Sequence, residues 1–316
     1  MALCKCNTGG GNTGVPSCYG VFDVTKQAIL VEYFTPTGAI NGIDLSTLAG
    51  GTTLDQAYLD ARIKDLNPRT RWYPTPELKN ITDERSDDIV EEFEDSSSVF
   101  IQEGARSFEG MIIKGDPVLL GNLKSWRCLT VGVFFIDKSG NLIGKQTRVG
   151  FLDPILLQDD SFSASLIKGT DTTKQKDTIK FDVSQLEDDA DLRMIEGANV
   201  TANLLGVGGL VDVIAETPTA ITTAGFTVQL NTPFGGVTSP IPAEGLTIAD
   251  FSAVEISPTP GAITFLTVTE SGVNAGEYAF VFTVAQTSGD LIRVSNTLSG
   301  PLSKSFDVVP FDVSIP

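Results

Sequence analysis

Histidine is absent from all 316 residues. That absence excludes Ser-His-Asp and Cys-His relays, HExxH zinc proteases and every His-ligated metal site. It also removes the usual general base near neutral pH. Positive charge is scarce as well: 22 Lys and Arg stand against 40 Asp and Glu, for a net charge of −18 and a pI near 4.3. A field this acidic repels nucleic acid rather than holding it. No run of about 18 apolar residues occurs, so no membrane insertion is expected. These gaps turn the reading away from an enzyme and towards a structural or binding role.

Cysteine is sparse and clustered: Cys4, Cys6 and Cys18 lie near the amino end, and Cys128 lies far from them. A Cys-x-Cys metal clip completed by Cys18 and Cys128 is one reading. The other is free terminal thiols with Cys128 in a core strand, and the spacing matches no common zinc module. Residues 1–19 are Gly-, Asn-, Thr- and Cys-rich, an arm rather than a secretory signal or a domain. Within the arm, Gly9 to Gly14 fits GxGxxG literally, but no strand precedes it and no helix follows. GNLIGK at 140–145 is too short for a phosphate loop. No cofactor is expected.

What is present is mostly strand pattern. Hydrophobic residues make up 41% of the chain, enough for a real core. TLDQAYLDARIKDL, Thr53 to Leu66, carries an apolar stripe at helical spacing and is stopped by Asn67-Pro68. LTVGVFFIDKSGNLIGK is a hairpin turning at Asp137–Asn141. Val21–Val24 and Ala28–Phe34 read as strands, and LEDDADLRMIE as a short helix or turn.

The densest charge lies at Asp83, Glu84, Asp87, Asp88, Glu91, Glu92, Glu94 and Asp95, opposed only by Arg85. It is predicted to form a hairpin, Asp87–Glu94 against Val99–Glu103. One face would bury Ile89, Phe93, Val99 and Ile101 while the other presents carboxylates. The tract has no Asp-x-Asp-x-Asp-Gly spacing for calcium. A solvated acidic face, a cation site and a negative surface with a role are all open at this point.

After residue 213 the composition shifts. Lys and Arg number 20 up to Val213 and 2 beyond it. About seven strand-like runs follow (FTVQL, LTIADF, AVEIS, ITFLTVTE, YAFVFTVA, LIRVSN, SFDVV), the signature of an immunoglobulin-like sandwich. NAGEY, Asn274–Tyr278, fits a turn entering a core strand.

The stretches RTRWYPTPELKNITDERSDDIVEEFEDSSSVFIQEGARSFEGMI, VGVFFIDKSGNLIG, DTTKQKDTIKFDV and DADLRMIE resemble bacteriophage virion proteins of the major tail tube type, over residues 20–200. The resemblance implies a mainly β chain. Residues 1–19 would be an arm between rings, carrying Cys4, Cys6 and Cys18. Residues 20–213 would be a sandwich or barrel-type tube domain with one flanking helix, and 214–316 an immunoglobulin-like sandwich. It further implies homo-oligomeric rings, most simply hexameric, that stack into a tube in the virion tail after assembly in the host cytoplasm. Other tail proteins would be partners, and DNA would pass through without specific binding. Asp87, Asp88, Glu91, Glu92, Glu94 and Asp95 become candidates for a lumen or an interface. The alternatives are a capsid decoration, connector or ring protein, or a carbohydrate-binding or adhesive module.

Overall fold

The computed structural model describes residues 20–48, 53–94, 97–113, 115–298 and 305–316. The chain is mainly β, with several antiparallel sheets, a half-barrel sheet and two short helices. In the first two-thirds run β1 (Thr25–Glu32), β2 (Ile43–Asp44), α1 (Gln56–Ile63), β3 (Tyr73–Pro74), β4 (Leu78–Arg85), β5 (Ile89–Glu92), β6 (Ser98–Gln102) and β7 (Arg106–Ile113). Then come α2 (Pro117–Ser125), β8 (Val131–Asp137), β9 (Leu142–Lys145), β10 (Phe151–Leu152), β11 (Ile155–Leu156), β12 (Ser163–Ile167), β13 (Lys176–Asp182) and β14 (Leu192–Ile195).

One sheet has the order β14-β9-β8-β1-β3, with β11 also on β8, and a second has β12-β13-β7-β4. The central strands β1 and β8 are buried on both faces, which is why VGVFFID is an unbroken buried run. Alternate residues feed two cores. Ala28, Leu30, Val133 and Phe135 meet Phe108, Ile179 and Phe181 of the second sheet. Ile29, Val31, Phe134 and Ile136 meet Trp72 and the α1 residues Leu59 and Ile63.

The expected helix is present but shorter. It starts at Gln56, because Asp55 rather than Thr53 caps it by accepting the Tyr58 N–H at 2.8 Å. The single flanking helix is corrected to two. In α2, Asp116 caps through the Val118 N–H and Pro117 opens the first turn. Residues 20–24 form no strand, and LEDDADLRMIE divides into a 3-10 turn and β14. Cys128 is exposed at the end of a 3-10 helix, not in a core strand.

The last third builds a separate core between two sheets. Its strands are β15 (Val211–Ala215), β16 (Thr219–Thr222), β17 (Gly225–Gly236), β18 (Ser239–Pro242), β19 (Phe251–Ser257), β20 (Gly261–Ile263), β21 (Phe265–Glu270), β22 (Glu277–Phe282), β23 (Leu291–Asn296), β24 (Phe306–Val308) and β25 (Phe311–Ser314). One sheet runs β21-β22-β17-β15-β24, with β16 and β18 also on β17, and the other runs β20-β19-β23-β25. Residues 248–250 of LTIADF are a 3-10 turn rather than strand. Tyr278, at the start of β22, is fully buried. Its hydroxyl donates to the Ala243 carbonyl at 2.8 Å and accepts the Leu246 N–H at 3.1 Å. Arg71 joins the two parts of the chain, pairing with Asp307 at 2.5 Å and donating to the Asp65 carbonyl at 2.7 Å.

Asp177 is an incompletely hydrogen-bonded carboxylate in this packing. It is fully buried on β13 and accepts the Asp116 N–H at 3.1 Å through Oδ2, while Oδ1 has no partner among the described residues. Burial pushes its pKa up, the Asp116 N–H opposes this and the Asp116 charge adds to it. A folded-state pKa above the unfolded value favours the native state at low pH. That advantage is lost as pH rises through the folded pKa. Asp177→Asn keeps an acceptor for Asp116 and removes the ionisation penalty. Its Tm is expected to exceed wild type above neutral pH, with the gap closing towards about pH 4, near the unfolded carboxyl pKa. Thermal melts across that range check this, and a gap independent of pH would contradict it.

Candidate assembly site

The acidic tract forms the predicted hairpin, but not with the predicted burial. β5 and β6 pair antiparallel, Glu91 opposite Val99 and Val90 opposite Phe100, with a bulge after Ile89. The Phe93 N–H closes the turn on the Ser97 carbonyl at 2.8 Å. The two strands form a sheet of their own. Ile89, Phe93, Val99 and Ile101 are not covered. Together with Val90 and Phe100 they are between 46% and 53% exposed. The expected buried face is thus corrected. Paired residues share a face, so Val99 and Phe100 place bulky apolar groups on opposite faces. An isolated two-stranded hairpin is marginal in water, and a ribbon apolar on both sides needs a cover.

Asp87, Asp88, Glu91, Glu92 and Glu94 are all exposed on this hairpin. Asp95, and the arm residues Cys4, Cys6 and Cys18, lie outside the described residues. No group of three or more metal-ligating side chains occurs among the described residues.

The hairpin's root, in contrast, is fixed. Arg85 reaches Glu103 and Asp189, each at 2.8 Å. Arg106 holds Asp83 through two contacts of 2.7 Å and Asp189 at 3.0 Å. The hydrogen bonds to Asp83 hold the Arg106 pKa above its ordinary value against the opposing effect of burial. Asp88 accepts the Gly104 N–H at 3.1 Å. A Cβ at residue 104 would lie 1.8 Å from the Ser86 carbonyl oxygen, so only glycine lets the two strands approach here. Between the root and residues 183–188 lies an open cleft of about 780 Å³, with Leu186 87% exposed at its rim.

A second exposed surface went unread in the sequence. The face of β12-β13-β7-β4 turned from the core carries Ile167, Lys176 and Ile113 in one row, then Ser165, Thr178, Met111 and Lys79, then Ser163, Lys180 and Glu109. Ile113 and Ile167 are 44% and 43% exposed. Lys168 and Lys174 flank them in the β12–β13 turn. The signal was there in KGTDTTKQKDTIK, where lysines recur in a chain short of them. Only the register shows that they share a face with exposed isoleucines.

No family model matches the chain, and no curated protein matches it.

Proposed function

We propose that the protein is a structural subunit of a phage tail tube. In this reading it self-assembles into stacked rings, most simply hexameric, whose acidic conduit passes DNA without binding it. The observation that carries the reading is the β5–β6 hairpin: a firmly rooted ribbon, apolar on both faces and uncovered in a single chain, suits a subunit completed by its neighbours. A net charge of −18 suits a conduit, since carboxylates repel phosphates. The two-sheet core of residues 213–315, with its buried Tyr278 anchored to the backbone of the segment that follows β18, supports an immunoglobulin-like domain beside the tube. The subunit would belong to the virion tail, with other tail proteins as its partners.

Electron microscopy and sedimentation of the purified chain test this. Wild type is expected to form closed rings or tubes, about 100 Å across for a ring of domains this size. Replacing residues 89–102 by a short Gly-Ser turn should leave a folded monomer with an unchanged Tm. A wild-type chain that stays monomeric at high concentration, or tubes that survive the excision, would each overturn the part concerned. A monomer that binds glycans would favour an adhesive module.

A further inference from the structure

The hairpin and the lysine-bearing face lie at opposite ends of one sheet. β4 and β7 lead out to the hairpin at Arg85 and Arg106, and β7 ends seven residues later at Ile113 beside Lys176. At about 3.3 Å per residue the two ends stand roughly 25 Å apart. The hairpin is apolar and negative, with Asp87, Asp88, Glu91, Glu92 and Glu94 exposed among half-exposed Val, Ile and Phe. The other end is apolar and positive. Lys168, Lys174, Lys176 and Lys180 form no ion pair among the described residues; Asp171, Glu109 and Asp182 are carboxylates beside them, and Lys79 on the same face is already paired with Glu77.

We propose that these two surfaces are halves of one interface: the β5–β6 hairpin of one copy packs on the outer face of β12-β13-β7-β4 in the next. The occupant of the lysine face is a second copy of this chain, chosen by charge complementarity together with matched apolar exposure. Ile113, Ile167 and the aliphatic stems of the lysines offer one face of the hairpin, the one that carries the paired Val90 and Phe100, the cover it lacks. The carboxylates, on this account, fix register between copies rather than line a lumen. Like charges brought together there would exclude a reversed docking. Because the two patches differ, the contact is head-to-tail and repeats from copy to copy, closing into a ring or running on as a stack. The proposal rests on the self-assembly in the tail tube reading, but not on the shape of the assembly.

A charge exchange tests it in the full chain. One variant carries Glu91→Lys, Glu92→Lys and Glu94→Lys; the other carries Lys174→Glu, Lys176→Glu and Lys180→Glu. All six sites are on exposed or half-exposed surface, so both variants should keep the wild-type circular dichroism and Tm. Each alone is expected to need about a hundredfold more protein for half-assembly by sedimentation velocity. An equimolar mixture should assemble at the wild-type concentration, because each reversed patch then meets its complement on the other variant. Variants that assemble like wild type would overturn this interface and leave the tube reading standing. Folded variants whose mixture stays apart would overturn the pairing of these two patches. Exchange behaviour in open chains without rings or tubes would uphold the interface and remove the tube. A monomeric wild type would remove both.

Discussion

Phe181→Ala is expected to cost about 3–5 kcal/mol, the range for truncating a large buried aromatic. Phe181 is fully buried on β13. Its ring lies 4.9 Å from Phe108 at 14°, 6.0 Å from Phe162 at 8° and 6.3 Å from Phe135 at 21°. These four rings bridge the two sheets of the first part of the chain, since Phe135 sits on β8 and Phe108 on β7. Removing the ring therefore leaves a cavity between layers that cannot collapse without moving a sheet. The core of residues 213–315 shares no cluster with it. Calorimetry should show the transition of the first part falling by about 10 °C, at roughly 2–4 °C per kcal/mol for a unit of this size. A loss under about 1 kcal/mol would show that the stack is not what holds the sheets together.

This core was partly legible in the sequence. DTIKFDV alternates, and Ile179 and Phe181 do face inward while Lys180 faces out. The VGVFFID hairpin was visible because its turn residues, Asp137 to Asn141, announce it. Asp137 takes the Asn141 N–H at 2.9 Å. The second helix stayed hidden because Gly121 interrupts PVLLGNLKS and its leucines also suit a strand. The exposed hairpin was legible as a hairpin, but its burial was not. Alternating Val, Phe and Ile describe a half-buried ribbon whether the cover comes from the same chain or from another. Pairing between distant strands was beyond reach for a simpler reason. β1 finds β8 about a hundred residues later, and Arg71 finds Asp307, and no local pattern encodes either meeting.

Glu187→Ala should be as damaging as loss of the ring, and should also act on the hairpin. Glu187 pairs with Lys145 where both side chains are under a tenth exposed, at 9% and 8%. It also accepts the Leu156 N–H at 3.2 Å. Lys145 lies 5.1 Å from the Tyr33 ring centroid. Burial works against the charged ammonium, yet hydrogen bonds to Glu187 and Tyr33 outweigh it and hold the Lys145 pKa above its ordinary value. In wild type, this contribution is complete below the unfolded lysine pKa of about 10.4 and is lost as pH rises through the folded value. Without the carboxylate, burial is opposed only by the contact with Tyr33, and the pKa falls from its wild-type position. An uncompensated buried charge costs about 3–5 kcal/mol. The penalty is complete at neutral pH and shrinks as pH approaches about 10, so the gap from wild type should narrow in alkaline denaturant titrations. Lys145→Met with Glu187→Leu should recover most of the loss, since a buried ion pair is often replaceable by apolar groups while half of one is not. The position of Glu187 carries the effect outward. Two residues on, Asp189 binds both Arg85 and Arg106 at the hairpin's root. A loop released at Glu187 therefore frees the clamp that aims β5–β6. Glu187→Ala should weaken self-assembly more than Phe181→Leu adjusted to the same Tm, measured by sedimentation at matched concentration. Equal assembly by the two variants would show that the root holds the hairpin without this loop.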